Sequence, residues 1–330
     1  MQQLPKINKE SLNLLKDGKN LLAFSAGVDS SALFHALLAN KIKFKVAHVN
    51  YHTRKESEDE TEHTLKLCKE WGIECFVHRC KLDESNFENN ARVERYDFFK
   101  KILKEQKLEN LLTAHHLNDR FEWLLMRLTR GSGAVSLAGF KEIEKWGEWK
   151  IIRPFFEISK EKLHLFLEAN GLKYFEDSSN FESKYFRNYI RHNFSNPLMK
   201  DFEDGIAKSL KYLMEDGALL QGVEPKKIKN LWIFDRSKAP SPMVNIDKIM
   251  KSFGLVLSKS QRDEIFEKDG VVGGKIAIGW HERYVAIAPF IKTKMSKEFK
   301  EICRTHKVPP LIRPYLFKKE VDPSTLTHMF

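Results

Sequence analysis

Nowhere does this chain of 330 residues approach the roughly 20 consecutive apolar residues that cross a bilayer, so a membrane-spanning protein is not expected. Cysteine is scarce as well. Cys68, Cys75, Cys80 and Cys303 include no C-x-x-C pair, Cys75 and Cys80 lying five apart. That spacing argues against a disulfide framework, a zinc ribbon or an iron–sulfur cluster and predicts reduced, structural thiols. The start, Met1-Gln2-Gln3-Leu4-Pro5-Lys6, lacks the apolar core of a secretion signal, which makes the cytoplasm the expected address. Internal repeats and low-complexity tracts are missing too.

What is present is a globular composition, 42% hydrophobic and 31% charged, at a length that suggests two domains. The net charge of +11 suits a polyanionic partner, most commonly nucleic acid. Residues 201–330 hold 23 Lys+Arg against 17 Asp+Glu, so +6 of the excess lies in the last 130 residues.

The first half alternates strand and helix signals. Strands are expected at 21–24, 44–50, 73–78 and 111–115, and helices at 31–39, 58–71, 89–106 and 119–128. That order implies right-handed βαβ units and a parallel sheet whose ligand sits at the C-terminal strand ends. Further on, 146–156 reads as extended, 160–169 as a helix stopped by Asn170-Gly171, and 197–222 as a helical connection. Pro240 and Pro242 punctuate a basic stretch; a helix near 260–268 and strand-like runs at 274–280 and 283–288 follow. The expected architecture is an α/β parallel-sheet, Rossmann-like nucleotide-binding domain (1–200), a helical connection (201–225) and a smaller basic α+β domain (226–330).

Four stretches carry chemistry. Ser25-Ala26-Gly27-Val28-Asp29-Ser30 follows the first strand and opens the first helix, so backbone N–H groups and a helix N-terminus face whatever lies above. The loop lacks the Gly-Lys-Ser/Thr ending of a Walker loop and resembles the SGGxDS PP-loop of ATP pyrophosphatases, with Ala26 in place of the first glycine. The bland alternative is a strand-to-helix turn with a Ser-Asp N-cap. Asp119 and Glu122, three apart at a helix start, share one face and suit Mg²⁺ or a cationic substrate; acids also favour a first helical turn for the dipole alone. Arg92 and Arg95 are three apart on one helix, and Arg187 and Arg191 one turn apart among aromatics; both pairs could grip phosphate, or simply form surface ion pairs and packing. His115-His116 has no cysteine-rich partner set, so no metal centre is expected there. The glycine- and serine-bearing stretch 131–139 has the length of a lid.

Taken together these segments resemble the tRNA(Ile)-lysidine synthase family. The resemblance rests on Ser25 to Ser30; His48-Val49-Asn50-Tyr51-His52-Thr53-Arg54; Ala91-Arg92 with Arg95-Tyr96; His115-His116 with Asp119 and Glu122; Arg130-Gly131-Ser132-Gly133; Arg153-Pro154; and Glu176-Asp177-Ser178-Ser179-Asn180 followed by Arg187-Asn188 and Arg191. It covers about residues 18–195, and Lys307 to Arg313 looks like a shortened form of the family's C-terminal pattern. Ala26, Tyr51, Arg120 and Ser178 depart from the usual residues; of these only Ala26 touches the phosphate loop, where a methyl costs little if φ is negative.

The resemblance implies an AMP-forming ligase that joins free L-lysine to C2 of the wobble cytidine of a CAU-anticodon tRNA(Ile), through an adenylated cytidine and with release of pyrophosphate. It implies ATP at Ser25, Ala26, Gly27, Val28, Asp29 and Ser30, with Mg²⁺ held in part by Asp29. Catalytic roles fall to Asp29, Arg95 (or Arg92), Asp119, Glu122 and Arg187. A homodimer stays open, and a membrane partner is not expected. The competing readings are a PP-loop tRNA thiolase, weakened by the lack of C-x-x-C, and a non-catalytic RNA-binding protein.

Overall fold

A computed structural model describes residues 3–52, 56–82, 87–175, 186–220 and 222–328. Thr53, Arg54, the stretch 176–180, Phe181, Lys184 and Tyr185 lie outside the described residues. The chain divides into two compact units, Met1–Leu213 and Met214–Phe330.

In the first unit α1 (Lys9–Asp17) leads to β1 (Asn20–Phe24), α2 (Val28–Ala39), β2 (Phe44–Asn50), α3 (Glu56–Glu70), β3 (Cys75–Arg79), α4 (Phe87–Glu105) and β4 (Asn110–Leu112). Then come α5 (Leu117–Leu128), α6 (Ala134–Leu137), β5 (Ile143–Trp146), β6 (Trp149–Ile152), α7 (Lys160–Ala169) and α8 (Phe186–Ile190). A π-turn at Arg191–Ser195 precedes α9 (Asn196–Leu219), whose residues from Met214 onward belong to the second unit. The strands form one sheet in the order β3-β2-β1-β4-β6-β5, parallel except for β5 against β6. The expected α/β parallel sheet is therefore present.

Alternation along β1 shows how the sheet is covered. Leu22 packs with Leu33 and Leu37 of α2 and Phe166 of α7, whereas its neighbour Leu21 faces the cluster of Phe99 and Leu103 of α4. Successive strand residues point to opposite faces, so helices on both sides bury both faces. The chain winds outward from β1 through β2 to β3, then returns to place β4 on the other side of β1. Such a reversal opens a crevice at the strand ends between β1 and β4, where ligands of these sheets bind.

Two boundaries differ from expectation in ways that matter. α2 begins at Val28 rather than at 31, which puts Asp29 and Ser30 into its first turn. β4 ends at Leu112 rather than at 115, so Thr113, Ala114 and His115 leave the sheet before α5. Within 131–139 the chain forms the single turn α6, whose Ser136 carbonyl accepts a hydrogen bond from Trp123 Nε1 at 3.0 Å.

The second unit contains β7 (Lys226–Ile228), β8 (Leu231–Asp235), α10 (Pro242–Ser252), α11 (Lys259–Ile265), β9 (Gly270–Val272), β10 (Ile276–Trp280), β11 (Tyr284–Pro289), α12 (Lys297–Thr305), α13 (Arg313–Lys318) and α14 (Ser324–His328). Its strands pair antiparallel in the order β7-β8-β11-β10-β9. β11 again alternates: Val285 and Ile287 meet Ile246 and Met250 of α10, while Tyr284 and Ala286 meet Cys303 and Leu316. Pro242, read from sequence as loop punctuation, occupies the first turn of α10, where a missing N–H costs nothing.

Candidate functional site

The phosphate loop follows β1 at the β1/β4 crevice. Gly27 caps α2 in extended conformation, φ −75° and ψ 170°, and no side chain caps the helix. The N-cap alternative is thereby removed: the first N–H groups of α2 have no side-chain acceptor and point out of its N-terminus, as an anion site requires. The loop is braced from within. Ser30 Oγ accepts from the Ser25 N–H at 3.2 Å and donates to the Gly27 carbonyl at 3.2 Å, and Ser31 Oγ donates to the Ala26 carbonyl at 3.2 Å. The Phe175 N–H donates to the same Ala26 carbonyl at 2.9 Å. Ala26 itself has φ 61°, in the left-handed region, and is fully buried. The condition under which its methyl would be cheap is not met. The turn needs a residue that tolerates positive φ, and alanine there costs about 1 kcal/mol relative to glycine.

Beneath that turn lies a run of charge that links all the acids. His116, only 3% exposed, stands immediately before α5, and its Nε2 lies 3.5 Å from Asp29 Oδ2 and 3.6 Å from Asp119 Oδ2. The His116 backbone N–H donates to Asp119 Oδ2 at 2.9 Å. Asp119 Oδ1 then accepts from Arg187 Nη2 at 2.5 Å. Arg187 Nε donates to Glu122 Oε2 at 2.7 Å, and Arg191 Nε donates to Glu122 Oε1 at 2.6 Å. Glu122 is 1% exposed, Arg191 17% and Arg187 46%. Asp29, Asp119, Glu122 and Arg187, from elements almost 160 residues apart in sequence, meet in one cluster.

Electrostatics within the cluster follow from its geometry. Burial alone would raise Asp29 and Asp119, but the His116 imidazole beside both, with Lys160 near the first and Arg187 on the second, holds each carboxyl below its usual range. Burial alone would lower His116; the carboxylates of Asp119, Asp29 and Glu122 outweigh it and raise the imidazole above 6.5. His115 goes the other way, pushed down to about 4 by burial in spite of Asp119. The two histidines diverge, His115 Nδ1 meeting Thr113 Oγ1 at 2.8 Å. They diverge because the strand has ended, not because it continues.

Asp29 Oδ1 is buried without a hydrogen-bond partner among the described residues, as is His116 Nδ1. A hard carboxylate oxygen left unpaired beside a helix N-terminus fits a Mg²⁺ that keeps most of its ligands from water and phosphate.

Arg95 does not join this cluster. It lies exposed on α4, close enough to Tyr51 to act on its phenol, while Arg92 Cζ sits 4.7 Å over the Tyr96 ring. Several other motif residues are structural. His48 is buried between the Phe24 carbonyl and Thr61 Oγ1, each at 3.0 Å; Asn50 bonds Ser57, Glu58 and Thr61 around the start of α3. Arg153 ties β6 to β5 through Glu144 at 3.0 Å. Arg120 turns away from the acids, its guanidinium 3.9 Å over Phe156, so that departure leaves the cluster untouched. Reading by motif missed the bridging role of His116 and gave Arg191 no part of its own. The available signals were the position of His116 one residue before the helix and the four-residue spacing of Arg187 and Arg191.

Residues 2–198 match the family model described as PP-loop domain. A tRNA(Ile)-lysidine synthase of Campylobacter jejuni is 43% identical over 97% of this chain and 99% of its own length. One from Wolinella succinogenes is 41% identical over 93% and 95%, and one from Helicobacter pylori 37% identical over 94% and 92%. Among solved structures the U34-tRNA thiolase of Methanococcus maripaludis superposes with a TM-score of 0.53 over 78% of this chain and 86% of the thiolase, at 19% identity, which shows a shared fold alone. No helix among the described residues is long and apolar enough to cross a membrane. The chain is an enzyme with a PP-loop domain and belongs to the tRNA(Ile)-lysidine synthase family.

Proposed function

We propose that this enzyme ligates free L-lysine to C2 of the wobble cytidine of CAU-anticodon tRNA(Ile) in the cytoplasm, consuming ATP and releasing pyrophosphate and then AMP. The observation that carries the reading is the contact between the phosphate loop and the acid pair, through His116. An activating site and a site for a cationic nucleophile share one crevice.

In the first step the cytidine O2 attacks the α-phosphorus of ATP, and the bond to pyrophosphate breaks. Backbone N–H groups at the start of α2, with Ser25 and Ser30, hold the departing pyrophosphate. Bound Mg²⁺, with Asp29 among its ligands, would neutralise phosphate charge. Arg187 offsets charge at phosphorus; Arg95, which lies outside the cluster, has only the family resemblance to support a share in that task. In the second step the lysine ε-amine attacks C2 and AMP leaves. An unperturbed lysine amine has a pKa of about 10.4, so it arrives protonated and must be both held and deprotonated. Asp119, kept anionic by His116 and Arg187, suits the first task; Glu122 suits the second. In the described structure Arg187 spans both carboxylates, the place an ammonium would take, so its use at phosphorus in the first step requires lysine to be bound to the acid pair already.

The C-terminal unit suits RNA contact. A cavity of about 250 Å³ within it is lined by His281, Arg283, His306 and Lys307, with Glu282 as the acidic exception.

The test is incubation with ATP, labelled lysine and bulk bacterial tRNA. Label in RNA, dependent on ATP, supports the ligase. Label nowhere, or pyrophosphate release without tRNA, refutes it.

A further inference from the structure

Outside the crevice, the C-terminal end of β3 brings together three metal-ligating side chains of different kinds. His78 and Cys80 are two apart on the extended chain and therefore share a face. Arg79 between them pairs instead with Glu58 at 2.8 Å. Glu94 comes from α4. One ligand atom from each of His78, Cys80 and Glu94 lies within 4.8 Å of the other two. We propose that these three residues bind a divalent cation of the zinc class, which clips the end of β3 to α4.

The geometry behind this is built rather than incidental. The His78 ring stacks on Phe98 at 5.1 Å and 22°, and Phe98 is one helical turn beyond Glu94, so packing sets the ring plane and aims Nε2 at the carboxylate, 2.8 Å away. The Cys80 backbone N–H donates to the Asn50 carbonyl at 3.0 Å, which fixes the thiol's origin against β2. Imidazole, thiolate and carboxylate together suit a borderline-soft ion far better than Mg²⁺, which prefers oxygen alone. With donors at about 2.0–2.3 Å from one tetrahedral ion, the His78–Glu94 pair, now at 2.8 Å, must open by about half an ångström to admit it, and any separation as long as 4.8 Å must close by roughly one ångström, with water as the fourth ligand. The proposal stands apart from the ligase reading, since none of the three residues belongs to the crevice.

The test uses the full-length protein, stripped of metal, titrated with Co²⁺ and then Zn²⁺. One equivalent of Co²⁺ should give tetrahedral visible bands and a thiolate-to-cobalt charge-transfer band, both bleached by Zn²⁺. Cys80→Ser should lose the charge-transfer band, and Glu94→Gln and His78→Ala should weaken binding about tenfold or more. Zn²⁺ should raise the Tm of the wild type and leave that of Cys80→Ser unmoved. Variants are first matched to the wild type by metal-free Tm; if Cys80→Ser does not fold, the half-exposed Glu94→Gln carries the test. Absence of the charge-transfer band, its persistence in Cys80→Ser, or undiminished affinity in Glu94→Gln overturns the site.

Discussion

Replacing Glu122 by glutamine takes one negative charge from between two arginines and leaves the shape of the side chain almost unchanged. Glu122 accepts from Arg191 at 2.6 and 3.2 Å and from Arg187 at 2.7 Å. Arg187 is 46% exposed and keeps Asp119 as a partner, so solvent screening leaves little cost there. Arg191 is 17% exposed and faces a side chain that is almost wholly buried. Uncoupling such a pair costs about 2–3 kcal/mol, somewhat less than a fully buried one. In a unit of this size that lowers Tm by about 4–12 °C. The functional loss should be larger and confined to one step. A base that takes the lysine proton contributes about 10²–10⁴-fold, so lysine incorporation should fall by that factor at saturating lysine. ATP- and tRNA-dependent pyrophosphate release should stay within a few-fold of the wild type, because the hydrogen bonds of Glu122 go to Arg187 and Arg191 and not to the phosphate loop. The assay follows labelled lysine and pyrophosphate in parallel, at a temperature well below the variant's Tm. Incorporation at the wild-type rate would refute the role of Glu122; equal loss of both products would refute the separation of the steps.

Asp29→Ala should abolish pyrophosphate release in a variant that still folds, with Tm lowered only by loss of the 3.5 Å contact between Asp29 Oδ2 and His116, since Asp29 Oδ1 has no hydrogen-bond partner among the described residues to lose; retained pyrophosphate release would refute the role. Ala26→Gly relieves a left-handed backbone at the expense of one buried methyl and should raise stability by about 0.5–1 kcal/mol, whereas Ala26→Val should destabilise by more than 1 kcal/mol; denaturant titration decides, and a destabilising Ala26→Gly would show that the methyl outweighs the strain. Desolvation pushes the buried His35 and the half-buried His115 down to about 4, so each contributes stability that is present above about pH 6.5 and lost as pH falls towards 4. His116 is raised and acts with the opposite sign: its contribution is complete below pH 6.5 and fades as pH rises through its folded value. Unfolding curves for His35→Asn should therefore lose part of the acid sensitivity, and those for His116→Gln part of the alkaline sensitivity; an unchanged pH profile in either variant contradicts the assignment. Association with tRNA, measured across a salt series, should weaken steeply as ionic strength rises, and a flat response would exclude a phosphate-dominated contact.

The sequence by itself determined the period-two and period-3.6 patterns, and with them the alternation of strand and helix that makes a parallel sheet. It determined the family as well, because Ser25 to Ser30, Asp119, Glu122, Arg187 and Arg191 keep their identities and order whatever their coordinates. Tertiary structure decided what each of them meets. No local signal says that β4 stops at Leu112, yet that early exit is what swings His116 under Asp29. No spacing rule shows that Arg187 and Arg191 close on Glu122, or that Arg120 stacks on Phe156 instead. The sign of φ at Ala26 was equally invisible, since a backbone torsion is set by where the strand must hand the chain to the helix. Short-range preferences are written in neighbouring residues; charge pairing across a crevice depends on which strand ends the winding of the sheet sets side by side.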